Sequence, residues 1–361
     1  MIATSSCGSE IIVPPRETGG SSSSSGGSTS GSSGAGGSPA TCVFDDMATW
    51  DIEADDAGGN HPRFAPATSG VPWVALAVEK GNVVLEKLGV GDQGIVVLEQ
   101  FEIPDSPVYP MAFDANDAYF VMLSTTGNNW NGTLEIWLVD RATGSVMRQP
   151  VGNPDNPNYT IRGALGLVDQ GIVLGYARPA NNEGVVEIRN DKLDVLTTQN
   201  VSFSELFGVW RSATAFDVHL SKQQVLEIRS GTMQQKAKTS PQYVIGGLGD
   251  YRVDIDGDFR LSTETEAWTA AWPHTQISTP AVVRTFGETA VFSIETELSG
   301  VVGYPRNGGL EWLRIESTPG ASGIGVVVMP VLEERRIGVF YIALDIPHPE
   351  QPLRYFGRIC R

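Results

Sequence analysis

The chain has 361 residues, with 42 acidic side chains against 25 Lys and Arg, a formal net charge of −17 and a pI near 4.6. So acidic a balance repels nucleic acid phosphates and anionic lipid surfaces, which argues against nucleic acid as a partner and favours a cationic one. Arg335–Arg336 is the one adjacent basic pair, and no stretch has the roughly 18 consecutive apolar residues of a membrane-spanning helix.

In chain order, residues 1–41 come first. They are dominated by Ser, Gly and Thr, as in "GGSSSSSGGSTSGSSGAGGS". Such a segment cannot bury enough apolar surface to offset its ordering entropy, so a disordered tether is expected. About 30–35 flexible residues have an r.m.s. span of roughly 30 Å. The opening "MIATSS" has neither the basic region nor the apolar region of a full signal peptide. Residues 42–361 are expected to form the folded domain, long enough for a sizeable core.

From Phe64 onward one pattern recurs: two β-rich apolar runs around a short polar turn. "VPWVALAVEKGNVVLEKLGV" is the first instance, and "IGVVVMPVLEERRIGVFYIAL" is the seventh. Turn centres fall near residues 81, 116, 170, 222, 257, 287 and 334. A period of roughly 40–50 residues with several strands per unit is the signature of propeller blades. "GTLEIWLVD", "GVVEIRND" and "GLEWLRIES" supply further strands between the turns, and no segment holds a helical period. The expected fold is all-β: a seven-bladed β-propeller, with six or eight blades or two packed β-sandwiches as alternatives.

Two stretches resemble known families. "TSSC" followed by Gly8 resembles the mature start of bacterial lipoproteins, with Ser5 and Ser6 at the small positions and Thr4 in place of the usual Leu. That resemblance implies acylation of Cys7. "LEIWLVDRATGSVMRQPVG" resembles a blade of the quinoprotein-like and WD40-like propellers, in which a strand ending in Asp is followed by a Thr-Gly turn. Asp140, Thr143, Gly144 and Val146 carry the match. Asp and Thr side chains can bond the turn backbone while Gly takes the left-handed residue. The adjacent cysteine pair of the quinone-dependent members is absent from the sequence.

There are three cysteines. A circular fold brings its ends together, so Cys42, at the end of the tether, and Cys360, the penultimate residue, are expected to pair in an oxidising compartment. A disulfide closing so long a loop contributes on the order of 5 kcal/mol in chain-entropy terms. Cys7 is then the odd cysteine, at the far end of the tether.

For metals, Asp254, Asp256 and Asp258 alternate around Gly257 in "VDIDGDFRLSTETE", a pattern suited to a hard cation such as calcium. It resembles in part the calcium loops of some propellers, with Phe259 and Ser262 departing from the pattern. For ligands, Asn128, Asn129 and Trp130 in "STTGNNWNGT" offer a polar loop with one stacking aromatic. The four histidines lack metal-ligand spacing, and no nucleophile elbow or phosphate loop is present.

The expected function is therefore an exported, lipid-anchored propeller. It would sit on the outer membrane facing the periplasm or cell surface, as a monomer that binds a protein or polysaccharide. It would touch membrane only through its anchor and use no cofactor beyond calcium at the Asp loop. The alternatives are a propeller glycoside hydrolase or polysaccharide lyase, and a calcium-stabilised structural domain.

Overall fold

Alternation of apolar and polar residues sets the fold, because successive side chains on a strand point to opposite faces. The computed structural model describes residues 50–65, 72–77, 82–91, 94–104, 108–126, 133–152, 165–168, 171–178, 183–202, 208–212, 214–220, 224–237, 243–271, 281–286, 289–295, 299–306, 308–316, 326–333, 336–343 and 351–359. Every regular element among the described residues is a β-strand.

The strands form antiparallel meanders. β1 (Trp50–Ala65), β2 (Trp73–Ala77), β3 (Val83–Gly91) and β4 (Gly94–Ile103) pair in sequence order. So do β5 (Val108–Ala115), β6 (Tyr119–Thr126), β7 (Leu134–Asp140) and β8 (Val146–Pro150). β9 (Leu165–Val168), β10 (Gly171–Arg178), β11 (Glu183–Arg189) and β12 (Val195–Ser202) form the next sheet. Eight strands follow in one sheet. Its first half is β13 (Gly208–Arg211), β14 (Ala215–His219), β15 (Gln224–Arg229) and β16 (Thr232–Ala237). Its second half is β17 (Tyr243–Leu248), β18 (Tyr251–Asp256), β19 (Asp258–Ser262) and β20 (Ala267–Ala270). Then come β21 (Val282–Phe286), β22 (Thr289–Glu295), β23 (Ser299–Arg306) and β24 (Gly309–Glu316). β25 (Val326–Glu333), β26 (Arg336–Ala343) and β27 (Gln351–Ile359) end the chain and return to β1.

The first strands of these groups sit side by side: β1 beside β5, β5 beside β9, β13 beside β17, β17 beside β21, β21 beside β25, and β25 beside β1. This is a propeller-like arrangement, and it sets aside two packed sandwiches. Seven separate blades are not what the hydrogen bonding gives, however: the strands fall into five sheets of seven, four, eight, four and four strands. Two junctions cause the difference. Residues Trp50–Gly59 of β1 pair with β27, while Asn60–Ala65 pair with β2, so one strand serves two groups across a register shift. At the other junction β13 and β17 pair in parallel, Val209 opposite Gly246 and Trp210 opposite Gly247. Glycine permits that approach. A Cβ on Gly247 would strike the Trp210 ring, and one on Gly208 would strike the Val244 carbonyl.

Apolar clusters fill the spaces between neighbouring groups. Trp73, Leu85, Phe113 and Phe120 join β1–β4 to β5–β8, with the Trp73 and Phe120 rings edge to face at 4.6 Å. Leu123, Ile136, Ile172 and Leu193 join the next pair, and Val186, Phe216 and Leu226 the one after. Phe259, Phe292 and Leu310 lie between β17–β20 and β21–β24. Tyr304 and Val339 come next, and then Val74, Phe340 and Tyr355, at the return to β1.

The turn after β7 forms as its residues dictate. Asp140 Oδ1 accepts from the Thr143 amide at 2.8 Å and the Thr143 hydroxyl at 2.9 Å, and Gly144 has φ +71°. These bonds hold the half-buried Asp140 carboxyl below the ordinary carboxylate range. The corresponding turn after β11 puts Leu193 at φ +66°. A leucine tolerates this left-handed conformation poorly, and its full burial in the cluster with Ile172 holds it there.

Candidate functional site

Three buried charged side chains lie on innermost strands of three separate sheets: Asp114 and Arg211 are in contact at 3.1 Å, and Arg284 feels the charge of both. Asp114 is the next-to-last residue of β5, Arg211 ends β13, and Arg284 lies in the middle of β21. They are 1%, 9% and 6% exposed, so the meeting point is dry.

The Asp114 carboxylate is held by three donors. Oδ1 accepts from the Ala115 amide at 2.9 Å. Oδ2 accepts from the Leu167 amide of β9 at 2.8 Å and from Arg211 Nη1 at 3.1 Å. Burial pushes this carboxyl above its ordinary value, and Arg211 and the two amides pull it back. Arg284 places Nη2 3.8 Å from Met329 Sδ of β25. Burial lowers its pKa to about 10, with the like charge of Arg211 lowering it further and Asp114 acting the other way. Two guanidiniums and one carboxylate thus share a low-dielectric space. Chemically, such a set recognises anions, because the planar Arg fork matches carboxylates and oxyanions.

A second polar constellation marks the parallel junction. The Trp210 ring carries Arg229 at 5.8 Å and Arg252 at 5.4 Å, and its Nε1 donates to the Gly249 carbonyl at 2.7 Å. Arg229 also pairs with Asp217, whose carboxyl burial raises. A third lies between β10 and β11, where the Tyr176 hydroxyl donates to Glu187 at 2.8 Å and Arg189 pairs with Glu187 at 2.7 Å.

The residues singled out from sequence fall elsewhere. Cys7, Cys42 and Cys360 lie outside the described residues, as do Asn128, Asn129 and Trp130. The Asp hairpin forms, with Gly257 at φ +82° and Asp256 opposite Asp258. Asp254 is buried, with the Ser262 hydroxyl 3.4 Å from its Oδ2, whereas Asp258 is exposed. The side chain of Asp256 is outside the described set. Among the described residues no three His, Cys, Asp or Glu side chains converge as metal ligands. Trp268 of β20 packs against the Phe259 cluster, as a core residue would. Sequence reading missed the Asp114–Arg211–Arg284 set. Its signal was a lone charge inside an apolar run, in "MAFDAN", "GVWRSA" and "AVVRTF".

No family model matches the chain, and no curated protein does. Solved structures of similar shape include "BBS1N in complex with ARL6DN", at 11% identity and TM-score 0.46, covering 87% of this chain and 96% of that one. Kluyveromyces lactis Hsv2 is similar at 10% identity and TM-score 0.48, covering 83% and 98%. Citrobacter koseri AztD is similar at 13% identity and TM-score 0.46, covering 83% and 88%.

Proposed function

We propose that this chain is a binding or scaffolding module of the bacterial cell envelope, a propeller held by an acylated Cys7 through the Ser/Gly tether. The observation that carries the binding reading is the buried Asp114–Arg211–Arg284 set, contributed by innermost strands of three sheets. Such a set is suited to holding a ligand or partner group. A seven-bladed count belongs to this reading. On this reading the seven-stranded and eight-stranded sheets would each count as two four-stranded blades, with β1 shared, and the three four-stranded sheets would supply the rest. In the sequence the Ser/Gly segment ends eight residues before β1, so an anchor at Cys7 would hold the module near that strand.

Membrane fractionation and intact mass of the protein expressed from its full reading frame test the anchor. A lipid-sized mass increment with membrane partition is expected, and Cys7→Ala should abolish both. A wholly soluble protein with unmodified Cys7 overturns the reading. Trapping free thiols in the same sample should leave Cys42 and Cys360 unlabelled until reduction.

A further inference from the structure

We infer that Ser124, Glu135 and Trp137 form a binding site for one hydroxyl oxygen, that of a water or of a polyol or saccharide ligand. The first argument is hydrogen bonding. Ser124 Oγ, Glu135 Oε2 and Trp137 Nε1 are buried and have no hydrogen-bond partner among the described residues. Ser124 is 0% and Trp137 2% exposed. Buried polar side-chain atoms in folded proteins are in large majority bonded, to protein or to ordered water. Three such atoms side by side mark a group that they hold in common.

The second argument is that the three are neighbours. Ser124 of β6 stands directly opposite Glu135 of β7, and Trp137 lies two residues further along β7. Opposed residues share a face, with Cβ atoms about 4.5–5.5 Å apart, and residues two apart on a strand share that face also. It is the face packed on β1–β4, for Trp137 belongs to the cluster of Trp73 and Leu85. Across the sheet the row runs Pro110, Ser124, Glu135, Pro150. The prolines on either side offer no hydrogen-bonding side chain. Arg148, opposite Trp137, lies over its ring at 5.4 Å and so engages the ring face, not the N–H. Glu135 is half-buried, so the site lies at the margin of the apolar gap, within reach of solvent.

The third argument is complementarity. The indole N–H only donates, the Glu135 carboxyl oxygen accepts, and the serine hydroxyl does either. A hydroxyl oxygen accepts from Trp137 and gives its proton to Glu135, while Ser124 donates to it. A metal cation would leave the indole N–H unused, and an oxyanion would face the Glu135 carboxyl. Buried waters typically make about three hydrogen bonds of this kind. The inference goes beyond the binding reading above, and its tests involve neither Cys7 nor Asp114.

Urea unfolding of the full chain and NMR of the Trp137 Nε1–H test it. Ser124→Ala should lower the folding equilibrium constant roughly two- to tenfold, because it removes a bond to the held hydroxyl. An unchanged or raised constant overturns the inference, since deleting a hydroxyl that bonds nothing relieves a desolvation cost. In the wild type the source is read at the indole N–H, with glucose and glycerol as probes. A saturable shift of its resonance that Ser124→Ala weakens marks a ligand hydroxyl. A shift that Ser124→Ala leaves undiminished overturns the inference. No shift, with a cross-peak from that N–H to long-lived bound water, marks a water. Neither signal overturns the inference, whatever Ser124→Ala does.

Discussion

Two junctions merge four-stranded groups into larger sheets, and they do so by opposite means. At the return of the chain, β27 and β1 pair in antiparallel fashion over a packed apolar cluster, with Tyr355 fully buried against Phe340 at 5.1 Å. At the middle of the chain, β13 and β17 pair in parallel over only three residue pairs. There the contact is backbone to backbone through glycines, beside a Trp210 ring flanked by Arg229 and Arg252. One seam is held by side-chain volume and the other by the absence of it. Substitutions that weaken one should therefore differ in kind from those that weaken the other.

Tyr355→Ala should have the largest effect. It empties the closing cluster and should cost about 3–5 kcal/mol in urea unfolding. A loss below about 1 kcal/mol would show that side-chain packing does not hold that seam. Gly247→Val should come next, because the added Cβ meets the Trp210 ring and the Tyr251 carbonyl. A loss of about 1–3 kcal/mol is expected, with faster hydrogen exchange of the Gly249 amide that bonds Arg211. Unchanged exchange there would remove the glycine seam from the comparison.

The smallest effect concerns pH. Burial raises the carboxyls of Glu86, Asp114 and Asp217 above their unfolded values. In the window between the unfolded and native values the native state holds protons that the unfolded chain has released. Stability therefore falls as pH rises through that window and is regained on acidification. Asp140 and Glu99 are lowered, by bonds from Thr143 and Lys87 respectively, and their contributions vanish as pH falls through their native values. Melting temperature should rise as pH falls through the native values of the raised carboxyls, and fall again as pH drops through those of Asp140 and Glu99. Asp217→Asn should flatten the rise, and an identical profile in that variant would exclude a part for the polar seam.

Much of the fold is legible in the sequence. All seven hairpins read from the chain are strand pairs, from Ala77/Val83 to Glu333/Arg336. Their uneven spacing has a structural cause. The turn near 81 joins the second and third strands of its group, whereas that near 116 joins the first and second. The most obvious turn thus falls at different places in different groups. The merging of sheets was not legible, because a parallel pair between Val209 and Gly246 depends on distant backbone, not on local pattern. The charged cluster was hidden for the same reason. Asp114 and Arg211 are 97 residues apart, and each reads alone as one polar residue in an apolar strand.

The double use of β1 has a mechanical consequence. A pull on the residues before Trp50, directed along the strand, loads the β1–β27 hydrogen bonds in shear, so they share the force rather than breaking one by one. Peeling sideways runs as far as Gly59 and then meets the segment from Asn60, which is paired to β2. Force arriving before Trp50 is thus passed from β25–β27 through β1 into β2–β4 of the same sheet.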